Sequence, residues 1–298
     1  MPYSNNSTSK IVILIPARYQ SSRFPGKPLA TIAGKSMINI VYNNAISSSF
    51  DTYVVTDNNL IEEHVLSFGG KVLRVDDEVN CGTDRIHLAY SRFLNKSESN
   101  NCSSYSLIIN LQGDEPLLKG SELKALGEWH LNSKYDITTL VKRHTFSVTT
   151  PATPTTPQLR EKYLGPNVVK AVFVADNLNS SKAGRCLYFS RSPIPHLPLS
   201  DNNNETDKNN ENLIWHQHVG IYSYRPHILE TFVKSNATYL EQVEKLEQLR
   251  ALSIGMNIGA LVTENELISV DTPEDIIKVE KLFKKVSEVS KEHLSYEL

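Results

Sequence analysis

Two segments, KIVILIPA (10–17) and SLIINLQGDEP (106–116), carry apolar runs with no polar alternation. Successive side chains of a strand point to opposite faces, so a strand that is apolar throughout is covered on both. Segments of helical spacing lie between them. KSMINIVYNNAISS (35–48) brings Met37, Ile38, Ile40, Val41 and Ala45 into one helix, and NLIEEHVLSFGG (59–70) reads as a helix stopped by Gly69 and Gly70. TYVVTD (52–57) and KVLRV (71–75) read as strands, and GTDRIHLAYSRFL (82–94) as a further helix. Fully buried strands joined by helices make a parallel α/β sheet with right-handed crossovers. Such sheets place ligands beyond the carboxyl ends of their strands. The polar clusters PARYQSSRFPGK (16–27), TDNN (56–59) and QGDEP (112–116) all fall there.

The second half is less regular. FSVTTPATPTTPQLREKYLGP (146–166) is too rich in Pro and Thr for a helix and reads as an extended loop. NVVKAVFVAD (167–176) and RCLYFSRSPIP (185–195) read as antiparallel strands around the turn NLNSSKAG, and IWHQHVGIYSYR (214–225) as another strand. ATYLEQVEKLEQLRALSIG (237–255) reads as one long amphipathic helix, GALVTENELISV (259–270) as the last strands, and residues 272–293 as a terminal helix. The expected organisation is a disordered N-terminus over 1–10, a single domain over 11–285 and a C-terminal tail over 286–298. Within the domain, an antiparallel insertion is expected at about 167–225, with the Asn-rich stretch at about 200–212 disordered.

Composition excludes several function classes. With 31 Lys+Arg against 33 Asp+Glu, the chain has no global basic field for a nucleic-acid partner. No apolar stretch approaches the roughly 18 residues of a membrane helix, and the polar start MPYSNNSTSK lacks a signal-peptide core. The 3 cysteines are odd in number and contain no CxxC, which disfavours a disulfide framework or a zinc site and makes a reducing cytoplasm the expected location.

Arg18, Ser21, Ser22, Arg23, Gly26 and Lys27 crowd one loop after the first apolar strand. Loop amides, Arg forks and a Lys point charge together suit a triphosphate. The GKS at 34–36 is not a Walker loop, because Leu29 stands where that loop needs its first Gly. No GxGxxG follows a strand either. Asp114 in QGDEP reads either as a helix cap or as a magnesium ligand, since a hard cation takes carboxylate and phosphate oxygens. Asp271 in ISVDTPED invites the same two readings. There Thr272, Pro273 and Asp275 already suffice for a cap, which leaves Asp271 for another task. Two strand-end carboxylates and a cationic loop on one sheet edge make a site for nucleotidyl transfer.

Together these residues resemble the 3-deoxy-manno-octulosonate (Kdo) cytidylyltransferases, the CMP-Kdo synthetases of lipopolysaccharide assembly. The resemblance runs from about residue 11 to 283 through IPARYQSSRFPGKPL, VVTDNNLIEEHV, GTDR, NLQGDEP, NVVKAV, YFSRSPIP, HVGIYSYR, LEQVEKLEQLRAL and VDTPED, in the family's order. It implies a Rossmann-like glycosyltransferase-A-type fold, a mostly parallel sheet with an antiparallel dimerisation insertion, a homodimer, and dependence on magnesium (Mg2+). The implied substrates are CTP and Kdo. Arg18 and Lys27 would hold the triphosphate and act at the α-phosphorus, with Arg23 in the same loop. Ala17, Asn80, Cys81, Gly82 and Arg85 would surround the cytidine. Asp114 and Asp271 would hold magnesium. Gln112, Arg191, His218, Tyr222, Glu247 and Gln248 would line the sugar pocket, where a 2-keto acid sugar offers a carboxylate and many hydroxyls.

The chain departs from the family's usual pattern at Cys81, where Ser is customary, and at Gln217, where Arg often precedes the motif His. The implied reaction is in-line attack of the Kdo anomeric hydroxyl on the α-phosphorus of CTP, with pyrophosphate leaving and no covalent intermediate on the protein. Two other readings stand beside it. One is a cytidylyltransferase for another acidic sugar, such as a sialic acid or an amino-Kdo. The other is a catalytically silent nucleotide-binding protein on the same fold.

Overall fold

β1 (Ile11–Pro16) is buried from Ile11 through Ile15, as its unbroken apolar run requires. Our structure is a computed structural model and describes residues 10–20, 24–95, 105–147, 156–177, 180–196 and 212–295. The chain forms two compact units. The first is drawn from Met1–Leu131 and Glu266–Leu298, and the second is Asn132–Asn265.

In the first unit β1 leads through a loop to the short hairpin β2 (Thr31–Ile32) and β3 (Lys35–Ser36). Next come α1 (Met37–Ile46), β4 (Asp51–Thr56), α2 (Asn59–Ser67), β5 (Val72–Arg74) and α3 (Gly82–Ala89). A π-helical turn at Tyr90–Leu94 precedes β6 (Leu107–Leu111) and α4 (Gly120–Asn132). The strand order β5-β4-β1-β6 is parallel throughout, with Ile13 facing Thr52 on one side and Ile109 on the other. Caps start the helices where the sequence supplies them. Ser36 accepts a hydrogen bond from the Asn39 amide at α1, and Asn58 accepts one from the Ile61 amide at α2.

The second unit contains β7 (Ile137–Ser147), α5 (Thr156–Leu164), β8 (Lys170–Asn177), β9 (Ser180–Ser190) and β10 (Asn212–Tyr224). After them come α6 (Pro226–Lys234), α7 (Tyr239–Glu244), α8 (Gln248–Ser253) and β11 (Ile258–Thr263). The strand order is β10-β7-β11-β9-β8, and β8 pairs back onto β10. Only the β7–β11 pair among these is parallel. The strand set is therefore mixed, which corrects the expectation of a mostly parallel sheet. β7 is the main cause: the sequence reading left it unassigned, and it pairs antiparallel with β10 along its length.

Further expectations are corrected locally. The long helix over 237–255 is two short ones, because Lys245 takes φ 56° and ends α7. Part of the Pro/Thr-rich stretch is helical: α5 begins at Thr156, with Pro157 in its first turn, where a missing N–H removes no intrahelical bond. β9 begins at Ser180, inside the segment read as a turn. Residues 264–271 are not strand, so Asp271 follows a loop. α9 (Pro273–Ser295) runs into the stretch read as a tail. Among the described residues no helix is long and apolar enough to cross a membrane. The expectations for the N-terminus through residue 9, for most of the Asn-rich stretch and for Arg23 lie outside the described residues.

Candidate active site

Beyond β1, the Ala17 amide donates to Val55 O at 2.9 Å and carries the strand pairing one residue further. The chain then turns away. Gly26 has φ 70° and its amide donates to Tyr19 O at 2.9 Å, which folds the loop back on itself. A β-carbon at Gly26 would meet the Tyr19 ring at 3.4 Å in a backbone conformation that other residues rarely adopt. At the neighbouring strand end, α3 starts close against β1: a β-carbon on Gly82 would lie 3.1 Å from Pro16 Cγ.

These elements enclose a cavity of about 670 Å³ lined by Arg18, Tyr19, Gln20, Asp57, Asn58, Glu78, Val79, Asn80 and Arg85. The volume is in the usual range for a small-molecule site. Of the predicted nucleotide residues, Arg18, Asn80 and Arg85 meet here. Arg85 is nearly buried, and its guanidinium donates to Val75 O and to Asp57 Oδ2, each at 2.6 Å. Asp57 thus balances its charge, a role the sequence reading missed although TDNN stood out as a strand-end cluster. Cys81 is the N-cap of α3, with its sulfur 3.5 Å from the Asp84 amide. The thiol fills the capping position that a Ser would fill, as a weaker acceptor. Gln112 donates to Asn110 Oδ1 at 3.0 Å, and its side chain lies beside Gly82.

Lys27 begins the 3-10 turn Lys27–Leu29, and its ammonium is the centre of a second cluster. Nζ lies 2.5 Å from Asp114 Oδ2, 3.0 Å from Val270 O and 3.8 Å from Asp271 Oδ1. Asp114 sits in the turn after β6, and the Val270 amide donates to its carbonyl at 2.9 Å, fastening the two acidic segments together. Asp271 is not the cap of α9. Asp275 holds the Asp271 and Thr272 amides at 3.1 and 3.0 Å, and the Asp275 amide returns a bond to Thr272 O. The capping pair read from the sequence is therefore present, and the Asp271 carboxylate turns to Lys27 instead.

Glu115, next to Asp114, escaped the sequence reading. It is buried, accepts a hydrogen bond from Ser269 Oγ, and its Oε2 has no partner among the described residues. Burial, reinforced by the neighbouring Asp114 charge, pushes its carboxyl up to about 8 from 4.5. Between those values the folded state holds a proton that the unfolded chain has lost, so the stability this carboxyl contributes is full below 4.5 and is lost as pH rises through about 8. Glu115→Gln keeps an acceptor for Ser269 and carries no titrating proton. In EDTA its melting temperature should vary less than the parent's over this window, and parallel profiles would remove the buried proton.

The predicted sugar residues other than Gln112 belong to the second unit. His218 and Tyr222 stand together on β10, ring centroids 5.3 Å apart, with Phe189 edge-on to the imidazole. Burial pushes His218 down to about 3, so the ring is neutral at pH 7. Its Nε2 lies 3.2 Å from Thr139 Oγ1, whose hydroxyl donates to Ile221 O at 2.6 Å. The Thr139 oxygen then accepts from Nε2–H, which makes Nδ1 the acceptor of the ring. Burial likewise pushes the Tyr222 phenol well above 10, which keeps it a neutral donor. Arg191 spends Nε on Glu244 O at 2.9 Å, Nη1 on Pro166 O at 3.0 Å and Nη2 on Lys245 O at 3.4 Å. Gln248 is buried at the start of α8, and Glu247 precedes it. The pairing of Glu247 with Arg250 is loose at 3.9 Å, because Glu241 takes the Arg250 fork at 2.5 and 2.8 Å.

Residues 12–258 match the family described as Cytidylyltransferase. The 3-deoxy-manno-octulosonate cytidylyltransferase of Thermodesulfovibrio yellowstonii is 39% identical over 91% of this chain and 96% of that protein. Its counterpart from Chlamydia felis is 40% identical over 92% of this chain and 93% of that protein. A solved CMP:2-keto-3-deoxy-manno-octonic acid synthetase complexed with CTP superposes with a TM-score of 0.72 at 33% identity, covering 93% of this chain and 99% of that one. A cytidylyltransferase structure from Leptospira borgpetersenii, 15% identical with a TM-score of 0.54, shares the fold. By sequence over nine-tenths of its length and by fold, the chain belongs to the 3-deoxy-manno-octulosonate cytidylyltransferase family.

Proposed function

We propose that the chain joins CTP and Kdo into CMP-Kdo with release of pyrophosphate, activating the sugar for lipopolysaccharide assembly. The observation that carries this reading is the convergence of Asp114 and Asp271 on Lys27 Nζ in the loop that follows β1. Two carboxylates aimed at one cation fit a magnesium ion, which takes one or two carboxylates and completes its shell with substrate phosphate and water. Among the described residues no group of three or more His, Cys, Asp or Glu side chains suits a metal. Asp114 and Asp271 would hold the magnesium, which when bound would supply charge neutralisation at the phosphates and make the attacking hydroxyl more acidic.

The side chains do the rest by position and charge. Arg18, at the rim of the cavity, and Lys27 bind the triphosphate and stabilise charge that builds at the α-phosphorus. As the Kdo anomeric oxygen bonds to that phosphorus, its hydroxyl proton passes to water and the bond to the pyrophosphate oxygen breaks. A guanidinium has five N–H groups, and Arg191 keeps two beyond its three backbone bonds, enough to bind the sugar carboxylate. Neutral His218 and Tyr222 hydrogen-bond sugar hydroxyls, and Gln112, Glu247 and Gln248 complete the set.

We further read the chain as a cytoplasmic homodimer of glycosyltransferase-A-type fold. The antiparallel strands support the dimer reading, because they expose Val174, Leu187 and Ile214. The described cysteines, Cys81 and Cys186, are not joined in a disulfide.

Pyrophosphate release from CTP, measured with Kdo, a sialic acid and an amino-Kdo, tests the reading. Kdo should give the highest kcat/KM. A preferred sialic acid would move the substrate assignment, and no release with any sugar would leave a nucleotide-binding protein.

A further inference from the structure

Lys170 opens β8 with 0% exposure, a position where an ammonium is costly unless all its donors are satisfied. They are satisfied. Nζ donates to Gly165 O at 2.9 Å, Val168 O at 2.7 Å and Arg191 O at 2.5 Å. Burial pushes Lys170 down to about 8, with the Glu244 charge working against it, which still leaves it protonated at neutral pH. Two of those carbonyls belong to the loop after α5, and the Arg191 guanidinium reaches Pro166 O in the same loop. Arg191 is thus held at both ends, by its carbonyl through Lys170 and by its side chain through Pro166, Glu244 and Lys245. The Glu244 carboxylate closes the circuit by accepting from Ser190 Oγ at 2.6 Å and from the Arg191 amide at 3.0 Å. Directly after this anchored break come Glu247 and Gln248.

We infer that Lys170 is a positioning residue for the sugar side of the active site: it aligns Arg191 and, through Glu244, the segment that carries Glu247 and Gln248. The inference rests on the proposed Kdo reading. A compact ammonium is needed, because three carbonyls converge on one nitrogen. Methionine removes the one donor that the three carbonyls share, although Gly165 O keeps the Val168 amide at 3.3 Å, and a planar Arg fork keeps the charge without that convergence.

Steady-state kinetics on Lys170→Met, Lys170→Arg and the milder Ser190→Ala test it, with CTP binding by calorimetry and melting temperature recorded for each. Both Lys170 variants should raise the KM for Kdo on the order of tenfold or more, with the KM and Kd for CTP within about twofold of the parent. Ser190→Ala, which removes a bond to the Glu244 carboxylate and the acceptor of the Ser192 amide while Lys170 stays in place, should shift the Kdo KM in the same direction by a smaller factor; should the Lys170 variants not fold, an unchanged Kdo KM in this variant overturns the inference. An unchanged Kdo KM, equal rises for both substrates that follow the loss of melting temperature, or full rescue by Arg overturns the role of Lys170. A parent enzyme that does not turn Kdo over overturns the functional reading, and this inference with it.

Discussion

Lys27→Ala should lower kcat by roughly a hundredfold or more while the protein remains folded, the usual cost of removing a group that stabilises charge at the reacting centre. The geometry gives this expectation its content. Lys27 Nζ is held within 3.8 Å of two carboxylates and a carbonyl, so its charge is placed with little freedom. The turn that carries it is bonded by backbone, through Leu29 to Gly26 and Ala30 to Lys27, and survives loss of the side chain. Lys27→Arg should rescue poorly, since a planar fork cannot sit at a point shared by Asp114, Asp271 and Val270 O. The loss should appear in kcat more than in the KM for CTP, because a contact strengthened only in the transition state leaves ground-state binding nearly intact. Near-parent turnover in the alanine variant would take Lys27 out of the chemistry.

Much of the first unit was legible because its signals are local. A strand with no polar face declares its burial in five consecutive residues, and Ile11–Ile15 are buried accordingly. The start of α9 was equally plain, since Thr272 and Asp275 satisfy each other across one turn. What stayed hidden depends on distant partners. The helix expected over 237–255 breaks at Lys245, where Glu244 is turned onto Ser190 and Arg191, more than fifty positions away in sequence. Glu115 looked like an ordinary acidic residue, and only Ser269, 154 positions on, makes its burial tolerable. Lys170 sat in an apolar run, NVVKAV, as the one charged side chain, a conflict that the three carbonyls around it resolve.

The same separation of local from distant roles makes the two aspartates the sharpest test of the metal reading. Asparagine has nearly the shape of aspartate and caps helices about as well, so Asp→Asn spares a cap and removes the charge that holds a hard cation. The cap of α9 rests on Asp275, and the bond between the two acidic segments runs through the Asp114 carbonyl, so neither substitution touches the frame. Asp271→Asn should therefore melt as the parent does. Asp114→Asn should melt slightly lower, because its contact with Lys27 is 2.5 Å against 3.8 Å for Asp271. Each should lose most activity and need more magnesium to regain any, and each should bind magnesium more weakly by calorimetry with CTP present. The double variant should lose far less than the product of the single losses, because both carboxylates serve one assembly. Full activity of Asp271→Asn at limiting magnesium would leave the ion to Asp114 and the phosphates, and the Asp271 carboxylate would then be only a neighbour of Lys27.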